Sequence, residues 1–323
     1  MKQRLLSGIK PTGDIHIGNY FGAMRQFLDL QNDFDSFIFI ADYHALNQIQ
    51  DASVLSKNIL EIAKAYLAIG LDPKKVTLFK QSDVPEVTEL AWIFNCLTPM
   101  AELLRAHAYK DAKAKGIGIN MGLFDYPILM AADILIYNSD VVPVGADQKQ
   151  HLEMAQDMAH RFNGIFGKTF KVPQERILDA LAVVLGTDGR KMSKSYNNTI
   201  GLFDNEKELV KKVMSIKTDS RGVGEPKDPN ICNIFALHRL FWTKDELKKL
   251  ENRYLNGVIS YKESKEILAE KINNFLAPLR ERKAELDTNE EKVKNILAEG
   301  AERAREEAKK TIKDVRKKIG VEI

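Results

Sequence analysis

The segment RLLSGIKPTGDIHIGN, residues 4–19, decides the fold of this chain. Its first six residues predict a short strand, Arg4–Ile9, and a helix is predicted to begin at about Gly18. The glycines between them let a backbone approach a ligand closely, and a helix N-terminus offers unpaired N–H groups to phosphate. An ordinary strand-to-helix turn has the same pattern. The segment matches neither the GxGxxG motif nor the Walker A loop, which argues against dinucleotide-dependent oxidoreductases and P-loop hydrolases.

The rest of the first two hundred residues alternates short apolar runs with longer helical patterns. The strands predicted after the first one are Phe37–Ala41, Val76–Phe79, Val141–Val144 and Leu178–Leu185. The predicted helices are Gly18–Leu30, a stripe from Leu55 to Leu67 capped by Ser53, Glu86–Leu97, Tyr126–Asn138 and Asp147–Phe162. Such alternation is typical of parallel βαβ units, so the predicted fold class is α/β, a doubly wound, Rossmann-like parallel sheet.

After about Asp204 the pattern becomes entirely helical. The helices predicted there are Lys207–Met214, Pro229–Phe241, Lys244–Tyr254, Tyr261–Leu286 and Asn289–Ile319. We therefore place a domain boundary near residue 205. A Rossmann-like catalytic domain, residues 1–205, is followed by a smaller all-helical domain, residues 206–323, whose C-terminal helix can pack back on the catalytic domain.

Composition narrows the class of protein. The 323 residues include 48 basic and 45 acidic side chains, a formal net charge of +3, which excludes a uniformly basic coat protein but not a local RNA-binding face. Two cysteines, Cys96 and Cys232, are too few for a disulfide scaffold, so we expect a reduced, cytoplasmic protein. Neither a signal peptide nor an apolar run of the ~18–20 residues that cross a bilayer is found, so no membrane association is expected.

A second segment suited to phosphate is GRKMSKS, residues 189–195. Lys191 and Lys194 stand three residues apart in a loop of small residues, where their charge can meet a leaving pyrophosphate without acid–base chemistry. A solvated basic loop is the alternative interpretation.

A third segment, YPILMAADI, residues 126–134, suits a flat apolar ring with one polar hydrogen. Met130 and Asp133 share a helix face because they are three apart. An ionised carboxylate only accepts hydrogen bonds, which suits a ring that carries a single N–H; a surface or helix-pairing role for Asp133 is the alternative. A fourth segment, VPVGADQ, residues 142–148, ends a strand and opens a helix, at the sheet edge where ligands of open α/β sheets bind.

The HIGN and KMSKS segments together resemble the class I aminoacyl-tRNA synthetases, and within them the bacterial branch specific for tryptophan. The resemblance runs over nearly the whole chain, although Asn19 stands where the family signature has its final His. It implies ATP-dependent activation of L-tryptophan with release of pyrophosphate, then transfer to the 3′ terminal ribose of tRNA(Trp). It also implies a homodimer, with Mg²⁺ accompanying ATP. No iron–sulfur cluster is expected, because Cys232 alone could not hold one.

The resemblance assigns the site residue by residue. The catalytic groups are expected to be Lys10, Asn19, Lys191 and Lys194. ATP binding is assigned to these four and to Pro11, Thr12, Gly18, Gly145, Ala146, Asp147, Ala182, Met192, Ser193 and Ser195. Tryptophan binding is assigned to Leu6, Gly8, His44, Met130, Asp133, Val142, Val144 and Gln148.

Some positions depart from the family pattern or stay open. Ala146 replaces a usual Glu. Lys110 and Lys113, in a predicted loop Tyr109–Gly118, either touch triphosphate or form a solvated face. The helical domain would contact the anticodon; the basic side chains considered for this are Arg303, Arg305, Lys309, Lys313, Arg316 and Lys317, with a solvated amphipathic helix as the alternative.

Competing functions are a tyrosine-specific enzyme, which would favour Gln at the position of Met130, a non-catalytic RNA-binding paralogue and a small adenylyltransferase.

Overall fold

The computed structural model describes residues 2–116, 118–144, 149–177 and 183–322. Within these ranges the strands are β1 Arg4–Ile9, β2 Asp35–Ile40, β3 Val76–Lys80, β4 Val141–Val144 and β5 Gln174–Ile177. They form one parallel sheet in the order β3-β2-β1-β4-β5. The predicted doubly wound α/β fold is therefore confirmed.

Within the described residues the last strand lies directly before the predicted one. We expected it at Leu178–Leu185, and β5 is the polar segment Gln174–Ile177. β5 is an edge strand that pairs only with β4, so its side chains need not all be apolar. Residues 178–182 lie outside the described ranges, and Leu185 forms only an isolated bridge with Lys191.

The helices of the first half cover both faces of the sheet. They are α1 Ile17–Asn19, a π-helical turn Tyr20–Met24, α2 Arg25–Leu30, α3 Asp42–Ala45, α4 Ala52–Ala68, α5 Glu86–Leu97, α6 Met100–Arg105, α7 His107–Ala114, α8 Met121–Ile136 and α9 Lys149–Phe166. A 3₁₀ turn, Gln81–Asp83, directly follows β3. Asp51 rather than Ser53 caps α4, its side chain accepting from the Ser53 and Val54 N–H groups.

The predicted loop Tyr109–Gly118 is largely helical. Alanine and lysine, which favour helices, make up most of α7, and Gly116 and Gly118 come only after its end. α8 also begins five residues earlier than predicted, because Asn120 caps it by accepting from the Leu123 N–H at 2.8 Å.

The second half is helical, as predicted. Its helices are α10 Glu206–Met214, α11 Asn233–Phe241, α12 Lys244–Leu255, α13 Tyr261–Asp287 and α14 Glu290–Ile319. In the described part of the chain no helix has the length and apolar character needed to span a membrane.

Alternation along the strands builds a core on each face of the sheet. Leu5, Ile38 and Ile40 pack with helices that include α4 and α13, and Leu6 and Phe39 pack with helices that include α5, α8 and α9. The first core contains residues from both sides of position 205, among them those of α10, α11 and α13. The division into two domains stays a prediction.

α14 lies directly on β3. A Cβ atom at Gly300 would come within 1.9 Å of the Leu78 carbonyl oxygen, so only glycine lets the helix approach this closely. Arg303 donates to the carbonyl oxygens of Pro73 at 3.0 Å and of Val76 at 3.2 Å. The edge of the sheet is thereby covered by the C-terminal helix.

Candidate functional site

A cavity of about 430 Å³ opens at the carboxyl ends of β1 and β4. The strand order reverses direction between these two strands, which is where open α/β sheets bind ligands. The lining residues come from β1 and the loop after it, the ends of β2 and β4, and one face of α8. They are Leu6, Ser7, Gly8, Ile9, Lys10, Phe39, Ala41, His44, Tyr126, Met130, Asp133, Ile134, Val142 and Pro143.

Helical spacing explains the α8 side of the cavity. Tyr126, Met130, Asp133 and Ile134 stand at positions i, i+4, i+7 and i+8, which lie on one face of a helix. The neighbouring Ala131 and Ala132 are fully buried in the core of the same face of the sheet. One helix face therefore supplies an aromatic ring, a thioether and a carboxylate to a single cavity.

The Asp133 carboxylate lies in a buried hydrogen-bond network. The Nε2 atom of His44 is 2.9 Å from Oδ2, and the Nε2 amide of Gln81 donates to both carboxylate oxygens at 2.9 Å. Asp133 is 2% exposed and Gln81 is fully buried. Burial raises the pKa of Asp133, and the hydrogen bonds from His44 and Gln81 oppose that rise.

The strand ends that hold this network are tied to each other. Asp42, at the start of α3, accepts from the Ser82 N–H at 3.0 Å and from the Ser82 hydroxyl at 2.5 Å. These bonds join the ends of β2 and β3, so His44 and Gln81 approach Asp133 from neighbouring strands.

The mouth of the cavity carries a cation against an aromatic ring. The Nζ atom of Lys10 lies 5.2 Å from the centroid of the Tyr126 ring, within the range of a cation–π contact. Partial burial lowers the pKa of Lys10 and raises that of Tyr126 to about 12. The Tyr126 hydroxyl is 2.8 Å from Nε2 of His151 on α9. Lys10 therefore faces the cavity. The residues that follow it, Pro11 and Thr12, are among those predicted to bind ATP.

The opposite wall is apolar and closely packed. A Cβ atom at Gly8 would lie 2.6 Å from the Phe39 ring, so the ring occupies the space that a side chain would need. Leu6 and Val142 are buried beside it, 1% and 4% exposed. The cavity is thus apolar apart from the groups around Asp133, Lys10 and the backbone, as is usual for small-molecule sites.

The HIGN segment forms a helix start adjoining the KMSKS segment. His16 caps α1: its Nδ1 accepts from the Asn19 N–H at 3.2 Å, and the Asn19 side chain accepts from the His16 N–H at 3.1 Å. A Cβ at Gly18 would lie 3.3 Å from Cβ of the buried Met192. Burial, and secondarily the charge of Lys194, lower the pKa of His16 to about 4.

A single asparagine organises the KMSKS backbone. Oδ1 of the buried Asn198 accepts from the Ser193 N–H at 2.8 Å, and Nδ2 donates to Asp188 at 2.7 Å and to the Lys191 carbonyl at 3.2 Å. Lys194 reaches across to the first loop, where its Nζ donates to the Thr12 carbonyl at 3.0 Å. The two segments, which are far apart in sequence, are therefore in direct contact.

The predicted site residues fall into three groups. One cavity collects those of the tryptophan set that are described there, namely Leu6, Gly8, His44, Met130, Asp133 and Val142, together with Lys10. A second group surrounds the contact of the two loops and consists of Pro11, Thr12, Gly18, Asn19, Lys191, Met192, Ser193, Lys194 and Ser195. Gly145, Ala146, Asp147, Gln148 and Ala182 lie outside the described residues, and of Val144 only the backbone in β4 is described. Lys110 and Lys113 are on α7.

Three residues of the site were missed by the sequence analysis. Gln81 contacts Asp133, Tyr126 walls the cavity, and Asn198 holds the KMSKS backbone. Gln81 lies two residues after the predicted strand Val76–Phe79 and could have been found from its position, since parallel strand ends meet at one edge of the sheet. Asn198 left no comparable signal, because its role depends on backbone atoms brought together by the fold.

The arginines considered for the anticodon have another role. Arg303 binds carbonyl oxygens next to β3, Arg305 pairs with Glu86 at 2.9 Å, and Arg316 pairs with Glu89 on α5. These three side chains attach α14 to the rest of the chain, and a contact of theirs with tRNA stays a prediction.

Comparison with known proteins identifies the family. Residues 1–277 match the family model for tRNA synthetases class I (W and Y). The chain belongs to this family. The resemblance noted at the HIGN and KMSKS segments is thereby confirmed.

Relatives in this family match over their full length. A tryptophan–tRNA ligase of Fusobacterium nucleatum is 51% identical over 320 residues, which are 99% of this chain and 98% of that protein. One from Rhodopirellula baltica is 49% identical over 318 residues, 98% of this chain and 99% of that protein. The Campylobacter jejuni tryptophanyl-tRNA synthetase, solved as a complex with ADP and tryptophan, is 46% identical with a TM-score of 0.94, over 98% of this chain and 100% of that one.

Proposed function

We propose that this protein is a tryptophan–tRNA ligase that activates L-tryptophan with ATP and transfers it to the 3′ terminal ribose of tRNA(Trp). The full-length relatives of this synthetase family support the assignment, and neither the tyrosine-specific enzyme nor the non-catalytic paralogue is favoured. The observation that carries it is the buried Asp133 carboxylate in an otherwise apolar cavity.

The cavity suits an indole ring. Its volume of about 430 Å³ lies in the range of small-molecule sites, and its apolar walls can cover a flat aromatic ring. Asp133 supplies an acceptor for the single indole N–H. Met130, beside it, cannot donate to a phenolic oxygen as Gln would, which disfavours tyrosine.

Adenylate formation needs positioned positive charge rather than a protein nucleophile. The tryptophan carboxylate attacks the α-phosphorus of ATP, the bond to the bridging oxygen breaks, and pyrophosphate leaves. Residues 10–12 connect the two charges, because Lys10 lies at the cavity mouth and the Thr12 carbonyl accepts from Lys194. Together with Asn19 and Lys191 they would stabilise the phosphate charge and hold the reactants in line.

Mg²⁺ would accompany the nucleotide. Among the described residues no group of three or more His, Cys, Asp or Glu side chains could hold a metal ion. We therefore assign no protein ligand to Mg²⁺, which would be held by the phosphate oxygens of ATP.

The amino-acid assignment is tested by ATP–pyrophosphate exchange. Exchange should depend on tryptophan and be negligible with tyrosine, and Asp133→Asn should raise the KM for tryptophan while leaving the KM for ATP near its original value. Comparable exchange with tyrosine would overturn the assignment.

A homodimer is the second part of the proposal. Trp92 on α5 is 70% exposed, and Met100 and Leu104 on α6 and Met121 at the start of α8 are exposed apolar side chains as well. The Asn95 amide donates to Asp125 at 3.0 Å, which holds α5 against α8 beneath the surface. An apolar surface of this kind fits a second copy of the chain. Trp92→Glu should yield monomers in light scattering; a dimer of unchanged stability would exclude this surface.

We place the anticodon contact on the helical residues 206–323 and the protein in the cytoplasm. Both cysteines are free thiols, which fits a reducing compartment. The exposed lysines Lys309, Lys313 and Lys317 of α14 remain candidates for tRNA contacts. Replacing all three by Ala should weaken tRNA binding and its salt dependence without changing pyrophosphate exchange.

A further inference from the structure

We propose that Gln81 is the positioning residue for tryptophan selection: it holds Asp133 as an ionised hydrogen-bond acceptor aimed into the cavity. The inference rests on the proposed function, in which Asp133 reads the indole N–H. Gln81 is not among the residues that line the cavity, so it acts on the substrate only through Asp133.

The contacts of Gln81 are what an ionised carboxylate requires. Its Nε2 amide donates to Oδ1 and to Oδ2, both at 2.9 Å, and it is fully buried. Among the described residues its Oε1 atom has no hydrogen-bond partner. An amide turned the other way would set Oε1 against the carboxylate and leave the NH₂ group unpaired, which is unfavourable. The observed orientation therefore fits a charged Asp133.

The backbone next to Gln81 is held independently of Asp133. Ser82 makes two hydrogen bonds to Asp42, and Gln81 directly follows β3, on which α14 packs at Gly300. The amide thus reaches the carboxylate from a fixed strand end. His44 binds only Oδ2, so Gln81 is the group that orients Oδ1.

Electrostatics explains why such a donor is needed. Burial raises the pKa of Asp133, the charge of Asp42 adds to the rise, and the hydrogen bonds from His44 and Gln81 lower it. The ionisable groups facing Asp133 or its cavity from the surrounding elements are His44, Asp42, Tyr137, Tyr126 and Lys10. Without Gln81, burial would favour the protonated acid, whose hydroxyl competes with the indole N–H for the same space.

The first experiment compares tryptophan with β-(benzothiophen-3-yl)alanine, in which sulfur replaces the indole N–H. Gln81→Met keeps the length of the side chain and removes the donor. A hydrogen bond to a buried charged group is worth about 10- to 100-fold in binding. We expect Gln81→Met to raise the KM for tryptophan by about that factor and the KM for the analogue much less. The KM for ATP should stay the same.

The matched control is Gln156→Met. Gln156, on α9, donates its Nε2 to the Pro173 carbonyl at 2.8 Å, so this change also removes one amide hydrogen bond, but at a distance from the cavity. It should leave the preference for tryptophan over the analogue unchanged. A merely structural role for Gln81 would weaken both amino acids equally and would overturn the proposal.

The second experiment follows kcat/KM for tryptophan against pH. Gln81→Met removes a donor that lowers the pKa of Asp133, so the acid limb of the profile should move to higher pH. Gln81→Glu should behave in the opposite way. Two adjoining carboxyl groups share one proton. With that proton, the introduced carboxyl group donates to Asp133, and activity should fall as pH rises and the proton is lost.

The two experiments separate the possible failures. If Gln81→Met does not fold, as judged by circular dichroism, the opposite pH dependence of Gln81→Glu still tests the proposal. If both Gln81 variants keep the original preference and pH profile, the proposal is wrong. If Asp133→Asn also keeps the preference for tryptophan over the analogue, the assigned role of Asp133 in the proposed function fails instead.

Discussion

The two ends of the candidate site are built differently. We propose the cavity around Asp133 as the indole end and the contact of the two loops, with Lys191 and Lys194, as the phosphate end. At the indole end, the polar groups are buried and tied to the ends of β2 and β3, and Asp133 has each carboxylate oxygen in a hydrogen bond. At the phosphate end, Lys191 and Lys194 are exposed, and Asn198 holds the backbone beneath them.

Each arrangement suits its task. Selecting one N–H needs a desolvated acceptor in a fixed place, because an unmatched buried polar group penalises the wrong amino acid. Neutralising a polyphosphate needs charges that stay protonated, and burial would lower the pKa of lysine, as partial burial already does for Lys194. Mutations at the two ends should therefore separate into effects on amino-acid choice and effects on reaction rate.

The largest expected effect is at the phosphate end. Lys194→Ala should reduce adenylate formation by about two to three orders of magnitude, since one such charge contact commonly contributes ~2.7–4 kcal/mol. Tryptophan binding, measured by calorimetry, should not change, because Lys194 is not part of the cavity lining. Lys248→Ala, at an exposed position of α12, is the control. Pyrophosphate exchange at the original rate in Lys194→Ala would abolish the distinction between the two ends.

The next largest effect is expected at Gly300, where α14 packs on β3 and so supports the indole end. Gly300→Ala would place a methyl group 1.9 Å from the Leu78 carbonyl oxygen, so α14 must shift off β3. We expect the free energy of unfolding to fall by about 3 kcal/mol, measured by urea denaturation. Because β3 leads to Gln81, tryptophan binding should weaken more than ATP binding does.

Gly164→Ala is the matched substitution. Gly164 lies inside α9, and no atom lies within 4 Å of the position a Cβ would take. Ala should be neutral there or stabilise by up to about 1 kcal/mol. Equal behaviour of the two alanine variants would show that the contact between α14 and β3 contributes little to stability.

The same comparison shows what sequence could and could not predict. β2 is buried on both faces, and its apolar run was recognisable; β5 is a polar edge strand, and the sequence analysis did not select it. Met130 and Asp133 were found because helical spacing puts them on one face. Spacing could not reveal that α14 covers β3, since that contact joins residues far apart in the chain. The hydrogen bonds of Arg303 and Arg305 therefore left no signal in the sequence.

A smaller effect is expected where only the backbone of the phosphate end is loosened. Asn198→Ala removes two hydrogen bonds to the KMSKS backbone and one to the Asp188 side chain, and we expect kcat/KM for ATP to fall about 10- to 100-fold. The KM for tryptophan should not change. Asn163→Ala is the control, because Asn163 also makes three hydrogen bonds, all to backbone groups near the end of α9. A loss of tryptophan binding in Asn198→Ala would mean that the two ends are coupled.

The smallest effect is a change in proton affinity at the phosphate end. His16 has a pKa of about 4, lowered first by burial and then by the charge of Lys194. Lys194→Ala should therefore raise the pKa of His16 in an NMR titration of the imidazole signals. His238, whose pKa burial alone lowers to about 4, lies in α11 and should not respond. An unchanged pKa of His16 would mean that the Lys194 side chain does not lie against the first loop.

The lowered pKa of His16 also makes the stability of the folded chain depend on pH. The unfolded chain binds a proton at His16 near pH 6.5, whereas the folded chain does so only near pH 4, so the unfolded state holds more protons between these values. The free energy of unfolding should therefore decrease as pH falls from about 6.5 to about 4, and the part due to His16 should be smaller in Lys194→Ala. His16→Gln should remove that part in both backgrounds. If the variants lose stability in parallel, the charge of Lys194 does not reach His16, and the phosphate end is held by the Asn198 backbone contacts alone.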